Sequence, residues 1–193
     1  MRKIFKFITK YWLIIFLILT ILLFIINKLL TINQPTPITP VPESTSVANY
    51  QSILPGSTTF DNVNELLGFP LEINGGGEKT IAEYRSSNQY RNHTIVFENS
   101  VAVFIKEEVI SSNEKTVNSI IKVYGIAPYT LYDQRPSSVF NLYVYPNNGI
   151  AYLGGDDGTI LEVWYFKPTT IDDFVNRWGS DFAKEKSKVI PKY

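Results

Sequence analysis

The chain has 193 residues, with 18 basic and 18 acidic side chains, one His and no Cys. This length allows one ordinary domain or two small ones. The absence of Cys excludes disulfides, thiolate metal sites and a lipid-modified cysteine, and the single His excludes a His-rich zinc site. We therefore expect neither a bound metal nor a cofactor.

Charge is distributed unevenly along the chain. Residues 1–30 carry five basic side chains and no acidic one, so the remaining residues carry 13 basic and 18 acidic groups. An acidic body repels polyphosphates, which argues against nucleic acid as a partner.

An apolar segment follows the basic N-terminus. Between Lys10 and Lys28 lie 17 consecutive uncharged residues, and further apolar residues follow as far as Ile32. About 20 apolar residues suffice to cross a bilayer core, so we predict a transmembrane helix over residues 11–32. Apolar residues on every face disfavour a buried core helix. A cleaved signal peptide is the other alternative, but no small-residue cleavage site follows the segment.

The flanking charges predict an orientation for this segment. Because four basic residues precede it, residues 1–10 are predicted to be cytoplasmic and the segment to be an uncleaved signal-anchor. The C-terminal body is then extracytoplasmic and attached to the cell membrane by a single pass. Residues 33–49 contain four prolines among Thr and Ser, a composition typical of an extended stalk.

The first half of the body, residues 50–110, begins with a predicted helix. Thr58 and Asp61 have the spacing of a helix N-terminus, an apolar face follows, and Gly68 ends the helix. Alternating apolar residues and turn signals predict three strands after it, over residues 80–85, 93–98 and 101–106.

The second half, residues 111–193, has the same order. Ser111 and Glu114 have capping-box spacing, and Gly125 ends the helix that follows. Three strands are predicted next, over residues 139–145, 150–153 and 159–166. A final helix begins at Thr170.

A helix followed by an antiparallel meander, present twice, predicts an α+β fold. Residues 67–70 align with residues 124–128, at an offset of 57 or 58 residues. Neither half alone buries much surface, so we expect two tandem repeats packed as one domain after the N-terminal transmembrane helix.

Residues 55–70 read P-G-S-T-T-F-D-N-V-N-E-L-L-G-F-P. This run resembles the opening helix of the SmpA/OmlA (BamE) envelope lipoproteins, with its pattern V-x-x-x-L-G-x-P. The paired halves resemble the tandem version of that architecture, the β-lactamase-inhibitor-protein-like fold. The resemblance implies extracytoplasmic binding or assembly without catalysis, with another envelope protein as the partner. The chain departs from the family in having no lipid-modified Cys, and the predicted transmembrane helix takes its place.

Three motifs resemble ligand or catalytic sites without matching them. Residues 75–80 lack P-loop spacing, because a Glu interrupts the Gly-Lys step. Residues 156–158 lack the remaining ligands of an EF-hand loop. His93 has no G-x-S-x-G nucleophile to activate, so we expect no catalytic residues.

The aromatic residues of the second half are the candidate binding residues. Alternation places Tyr143 and Tyr145 on one face of their strand and separates Tyr165 from Trp164 and Phe166. Because these sets cannot all lie in one core, we predict that Tyr143, Tyr145 and Tyr165 bind a partner from an exposed aromatic face. Packing in the core is the alternative.

These patterns predict a membrane-anchored extracytoplasmic module that binds another protein or assists envelope assembly, without catalysis. One alternative is a hydrolase that acts through paired carboxylates such as Glu83 and Glu98. Another is a small-ligand sensor. A pocket that holds two carboxylates would favour the hydrolase, and an exposed aromatic patch would favour the binding module.

Overall fold

A computed structural model describes residues 12, 16, 19–22, 46–110, 115–135 and 138–186. The chain contains two compact units, Met1–Val41 and Pro42–Tyr193. In the first unit the described residues are helical, and the rings of Trp12 and Phe16 stack with their centroids 6.4 Å apart. All elements named below belong to the second unit.

The structure corrects the prediction of a membrane span. Most of residues 11–32 lie outside the described residues, as do residues 1–10. Across the part of the chain that the structure describes, no helix is both long enough and apolar enough to cross a membrane. A span needs about 20 residues in one continuous helix. The transmembrane signal-anchor is therefore not supported, nor are the single-pass membrane anchoring and the extracytoplasmic location inferred from it.

The second unit contains three α-helices and nine strands among its described residues. The helices are α1 (Phe60–Leu67), α2 (Val117–Tyr124) and α3 (Ile171–Arg177). The strands are β1 (Glu72–Gly76), β2 (Lys79–Tyr84), β3 (His93–Glu98), β4 (Val101–Glu108), β5 (Tyr129–Asp133), β6 (Phe140–Tyr145), β7 (Ile150–Gly155), β8 (Ile160–Phe166) and β9 (Phe182–Ala183). A short 3-10 helix, Pro146–Asn148, links β6 to β7.

All nine strands form one antiparallel sheet, in the order β1-β2-β3-β4-β8-β7-β6-β5-β9. Each of the helices α1 and α2 is followed by four strands, and β4 pairs with β8 to join the two groups at the centre. The fold is therefore mostly β, and the predicted α+β class with an N-terminal transmembrane helix is wrong. The two meanders form a single sheet because β4 and β8 hydrogen-bond to each other, and each strand would otherwise leave backbone N–H and C=O groups unpaired at an open edge.

Both faces of the sheet carry a buried core. On one face, named the α1–α2 face, Val63 of α1 and Ile120 of α2 pack with sheet residues such as Ile105. On the opposite face, named the α3 face, Phe174 of α3 packs with residues such as Leu142. Every residue of β7 is buried, so the centre of the sheet has no solvent-exposed face.

The segment before α1 packs against the body. Ala48 is 1% exposed, and its N–H donates to the carbonyl of Asn148 over 2.8 Å. The side-chain amide of Asn148 donates in turn to the carbonyl of Ser46 over 3.2 Å. The sequence assigns residues 46–49 to the end of an extended stalk, and in the structure Ala48 of this segment is buried while its neighbours are exposed. Residues 33–45 lie outside the described residues.

The sequence patterns miss three strands. β1 contains Gly75 and Gly76, and glycine weakens a strand signal. β9 has two residues and exists through its pairing with β5, so it has no periodicity to detect. β5 has the sequence Tyr-Thr-Leu-Tyr-Asp, rich in strand-forming residues, and its signal was present in the sequence.

Threonines cap all three helices, at positions that differ in part from the prediction. α1 is capped by Thr59 rather than Thr58, because the Thr58 hydroxyl instead accepts from the N–H of Leu54 over 2.8 Å. α2 begins with a capping box formed by Thr116 and Ser119. α3 is capped by Thr170, as predicted. The predicted cap at residues 111–114 lies outside the described residues.

Glycines end α1 and α2. Gly68 has φ 82° and ψ −175°, and Gly125 has φ 80° and ψ −166°. Both φ values are positive, but ψ lies outside the left-handed helical region, in a region that essentially only glycine occupies. A β-carbon on Gly68 would have no heavy atom within 4 Å, so the strain of a substitution there comes from the backbone alone.

We predict that Gly68→Ala lowers the free energy of unfolding by about 1–3 kcal/mol through this backbone strain. Gly76→Ala is the matched control, because its β-carbon is equally unhindered and its φ is not positive. Thermal melts followed by circular dichroism compare the two variants. Equal melting temperatures would contradict the strain assigned to Gly68.

Candidate functional site

The three predicted binding tyrosines share the α1–α2 face. Tyr145 and Tyr165 are 1% and 5% exposed, and Tyr143 is half-buried. Trp164 and Phe166 lie in the core of the α3 face, so the predicted alternation is correct. Both sets can be buried because helices cover both faces of the sheet. The exposed aromatic face expected from the alternation is therefore not present, and Tyr143 has the most access to a partner.

The hydroxyl groups of the two buried tyrosines are satisfied inside the protein. The Tyr145 hydroxyl donates to the carbonyl of Gly125 over 2.9 Å. The Tyr165 hydroxyl donates to Glu107 over 2.8 Å and accepts from Lys115 over 2.8 Å. Burial, first of all, raises the pKa of both phenols, and the nearby carboxylate of Glu107 raises that of Tyr165 further. These contacts are those of core residues.

Tyr143 lies in a different environment. Its ring stacks on that of Tyr152, with centroids 4.8 Å apart and an interplanar angle of 18°. Its hydroxyl donates to Asp156 over 3.3 Å, and burial is the main cause that raises its pKa. Tyr143 and Tyr152 both line an open cleft, so Tyr143 is the one of the three predicted residues that borders this cleft.

This cleft, named the α2 cleft, has a volume of about 300 Å³. Val117 and Ile121 of α2 line one part of it, and Ile126, in the loop after the helix, is 79% exposed beside it. The stacked tyrosines of the sheet and Asp156, in the turn after β7, also line it. The result is an apolar recess with one carboxylate. Ile126 was not a predicted site residue, although its place directly after the helix-ending Gly125 was a usable signal.

A second cavity, of about 540 Å³, lies beside α3. Its aromatic residue is Trp178, whose ring stacks on Phe104 with centroids 4.4 Å apart. The guanidinium carbon of Arg177 lies 5.0 Å from the Trp178 ring centroid, and Arg177 also forms an ion pair with Glu98. Trp178 and Arg177 are therefore already engaged in contacts within the protein.

Two buried carboxylates meet at the centre of the sheet. Glu108 of β4 lies directly opposite Glu162 of β8, and both residues are less than 8% exposed. Arg91 lies 3.5 Å from Glu108 and 3.3 Å from Glu162. Lys106 lies 3.6 Å from Glu108, and the indole N–H of Trp164 donates to Glu162 over 2.8 Å. The pair is therefore neutralised and hydrogen-bonded within the protein.

The pKa of Glu108 is raised, first by burial and then by the charge of Glu162, while Lys106 and Arg91 act in the opposite direction. His93 lies close by, and its Nδ1 accepts from the backbone N–H of Glu108 over 3.1 Å. Burial is the main cause that lowers the pKa of His93, which keeps its imidazole neutral. The hydrogen bond of His93 therefore joins β3 to the backbone of β4.

The carboxylates proposed for a hydrolase are not brought together. Glu83 lies opposite Thr94, and Glu98 lies four residues further along β3. At about 3.3 Å per residue, this separates them by roughly 13 Å along the sheet. Glu83 accepts instead from the side-chain amide of Asn92 over 2.9 Å. Among the described residues, no group of three His, Cys, Asp or Glu side chains could hold a metal ion.

No protein-family model matches the chain, and no curated protein matches it. Among solved structures, the chain is similar to a DUF4309 family protein (YjgB) from Bacillus subtilis subsp. subtilis str. 168, with 17% sequence identity and a TM-score of 0.42. The match covers 61% of this chain and 84% of that chain. It assigns neither a family nor a function, and the resemblance to the SmpA/OmlA (BamE) proteins stays a prediction.

We predict that Tyr145→Ala and Tyr165→Ala each lower the free energy of unfolding by about 3–5 kcal/mol, as other truncations of large buried aromatic residues do. Tyr143→Ala costs less, because its side chain is only half-buried. Urea denaturation measures the free energy of unfolding of all three variants. Tyr90→Ala is the control, since Tyr90 is 84% exposed. Wild-type stability in the Tyr145 and Tyr165 variants would contradict their place in the core.

We also predict that Glu108→Gln changes the pH dependence of stability. The raised pKa means that the ionised form of Glu108 destabilises the folded state above the folded-state pKa, and this cost disappears below the unfolded-state pKa. The variant should match the wild type in acid and become the more stable protein as pH rises. Urea titrations at a series of pH values test this, with the exposed Glu65→Gln as the control. A difference in stability between the variant and the wild type that does not change with pH would contradict the raised pKa of Glu108.

Proposed function

We propose that this protein binds another protein through the α2 cleft and has no catalytic role. The observation that carries the proposal is Ile126, which is 79% exposed beside an open apolar recess. Val123 and Tyr129, close to it in sequence, are 51% and 42% exposed. Burial of exposed apolar side chains is favourable, so these residues beside a recess favour the binding of a partner that covers them.

The chemistry of the cleft indicates which side chain it accepts. Val117, Ile121 and the stacked tyrosines give it apolar walls, and Asp156 gives it one exposed carboxylate. Its volume of about 300 Å³ lies at the lower end of the range for small-molecule pockets. We therefore infer a partner that inserts one large apolar side chain, with a Lys or Arg next to it that lies near Asp156.

A hydrolase that uses paired carboxylates has less support. The carboxylates that do lie together, Glu108 and Glu162, line neither of the two cavities described above. Arg91 and Trp164 already occupy their hydrogen-bonding positions. A substrate would have to displace these contacts, whereas the α2 cleft is open without rearrangement.

Photocrosslinking in the native host cells tests the proposal. The full-length chain with p-benzoylphenylalanine in place of Ile126 should give a discrete cross-linked product with another protein. Ile121→Asp should remove this product, because it places a carboxylate in the apolar wall of the cleft. Circular dichroism melts establish that this variant is folded.

The matched control carries the photocrosslinker in place of Val139, which is 69% exposed but does not line the cleft. It should not give the same product. No product at position 126, or a product that persists with Ile121→Asp in a folded chain, would contradict the α2 cleft as the binding surface.

A further inference from the structure

The two edges of the sheet differ in whether another strand covers them. At one edge β5 is covered by its pairing with β9, which is two residues long. At the other edge β1 pairs with β2 on its inner side, and no described residue pairs with its outer side. All five residues of β1 are exposed. An open edge strand presents unpaired backbone N–H and C=O groups, which can template pairing with another strand.

Apolar side chains surround this edge. Phe69 is 88% exposed, Ile73 is 53%, Leu71 is 51% and Leu66 is 49%. Ile73 lies directly opposite Ala82, which is completely buried, so the core of the α1–α2 face ends abruptly at an exposed isoleucine. A strand that pairs with β1 would therefore also bury apolar side chains.

We propose that β1 pairs antiparallel with β1 of a second copy of this chain, with the two-fold axis at Asn74. In this register Ile73 lies opposite Gly75 of the partner subunit, and Glu72 lies opposite Gly76 of the partner subunit. Each side chain that is large or charged faces a glycine, so both copies fit without steric conflict. The two nine-stranded sheets then form one continuous sheet.

Charge complementarity favours a second copy as the occupant. Within one chain, Glu72 lies opposite Glu83, and like charges in this arrangement are destabilising. Lys79 lies opposite Gly76 and is exposed, and neither Glu72 nor Lys79 forms an ion pair with another described residue. In the dimer Glu72 and Lys79 of the partner subunit share one row across the sheet.

The distance across that row suits an ion pair. Neighbouring strands are about 4.8 Å apart, so the two α-carbons lie roughly 10 Å apart with one glycine between them. Two long side chains on the same face can span this gap, because glycine leaves it empty. Because of the two-fold symmetry, this ion pair occurs twice in the dimer. Pairing of β1 with itself also uses the open edge of both copies, so assembly stops at the dimer.

Disulfide cross-linking of the full-length chain tests this proposal, because the protein has no Cys. In an antiparallel pair the opposed α-carbons lie about 4.5–5.5 Å apart, within the range that a disulfide bridges. Asn74→Cys should give a product of twice the mass of one chain after mild oxidation. Asn147→Cys, at an exposed position far from β1 in the sheet order, is the matched control.

Charge exchange tests the register. Glu72→Lys or Lys79→Glu, added to Asn74→Cys, should lower the yield of the dimer severalfold, and the two together should restore it. Ile126→Asp should leave the yield unchanged, since the α2 cleft is a different surface. A yield no higher than that of Asn147→Cys, a product of another mass, or no recovery in the double exchange would overturn the proposal.

Discussion

The antiparallel pairing of β4 with β8 determines how the rest of the protein is arranged. It joins the last strand of one four-stranded group to the last strand of the other, so in chain order both groups run from the outer part of the sheet inward to the centre. Because the two groups have the same order, α1 and α2 reach the same face of the sheet. The opposite face is left for α3, which follows β8 directly.

This junction also concentrates charge in the interior. Its carboxylates are Glu107 on the α1–α2 face and the opposed pair Glu108 and Glu162 on the α3 face. Ionised groups inside a protein are tolerated when each has a partner. Lys115 and Arg91 provide partners on the two faces, and no buried polar side-chain atom among the described residues lacks a hydrogen bond. The polar groups at the centre are thus accounted for by contacts within the protein.

Local sequence signals predicted six of the nine described strands and missed β1, β5 and β9. Strand His93–Glu98 has the predicted bounds, β6 differs by one residue, and the final helix follows Thr170. The single sheet could not be predicted from such signals, because the pairing of β4 with β8 leaves no pattern in either strand alone. The same limit applies to the site. Alternation separated Tyr165 from Trp164 correctly, but a strand pattern does not show that helices cover both faces.

The long sequence separation across the central pairing has a consequence for how the protein folds. Partners in β4 and β8 are 54 to 62 positions apart, from Glu108 with Glu162 to Phe104 with Phe166. Hairpins such as β3–β4 and β7–β8 have local contacts and can form early, whereas the central pairing must first close a long loop. High contact order of this kind slows folding. Until the centre closes, each hairpin exposes an apolar edge, so the nascent chain is most prone to aggregation before its last strands are synthesised.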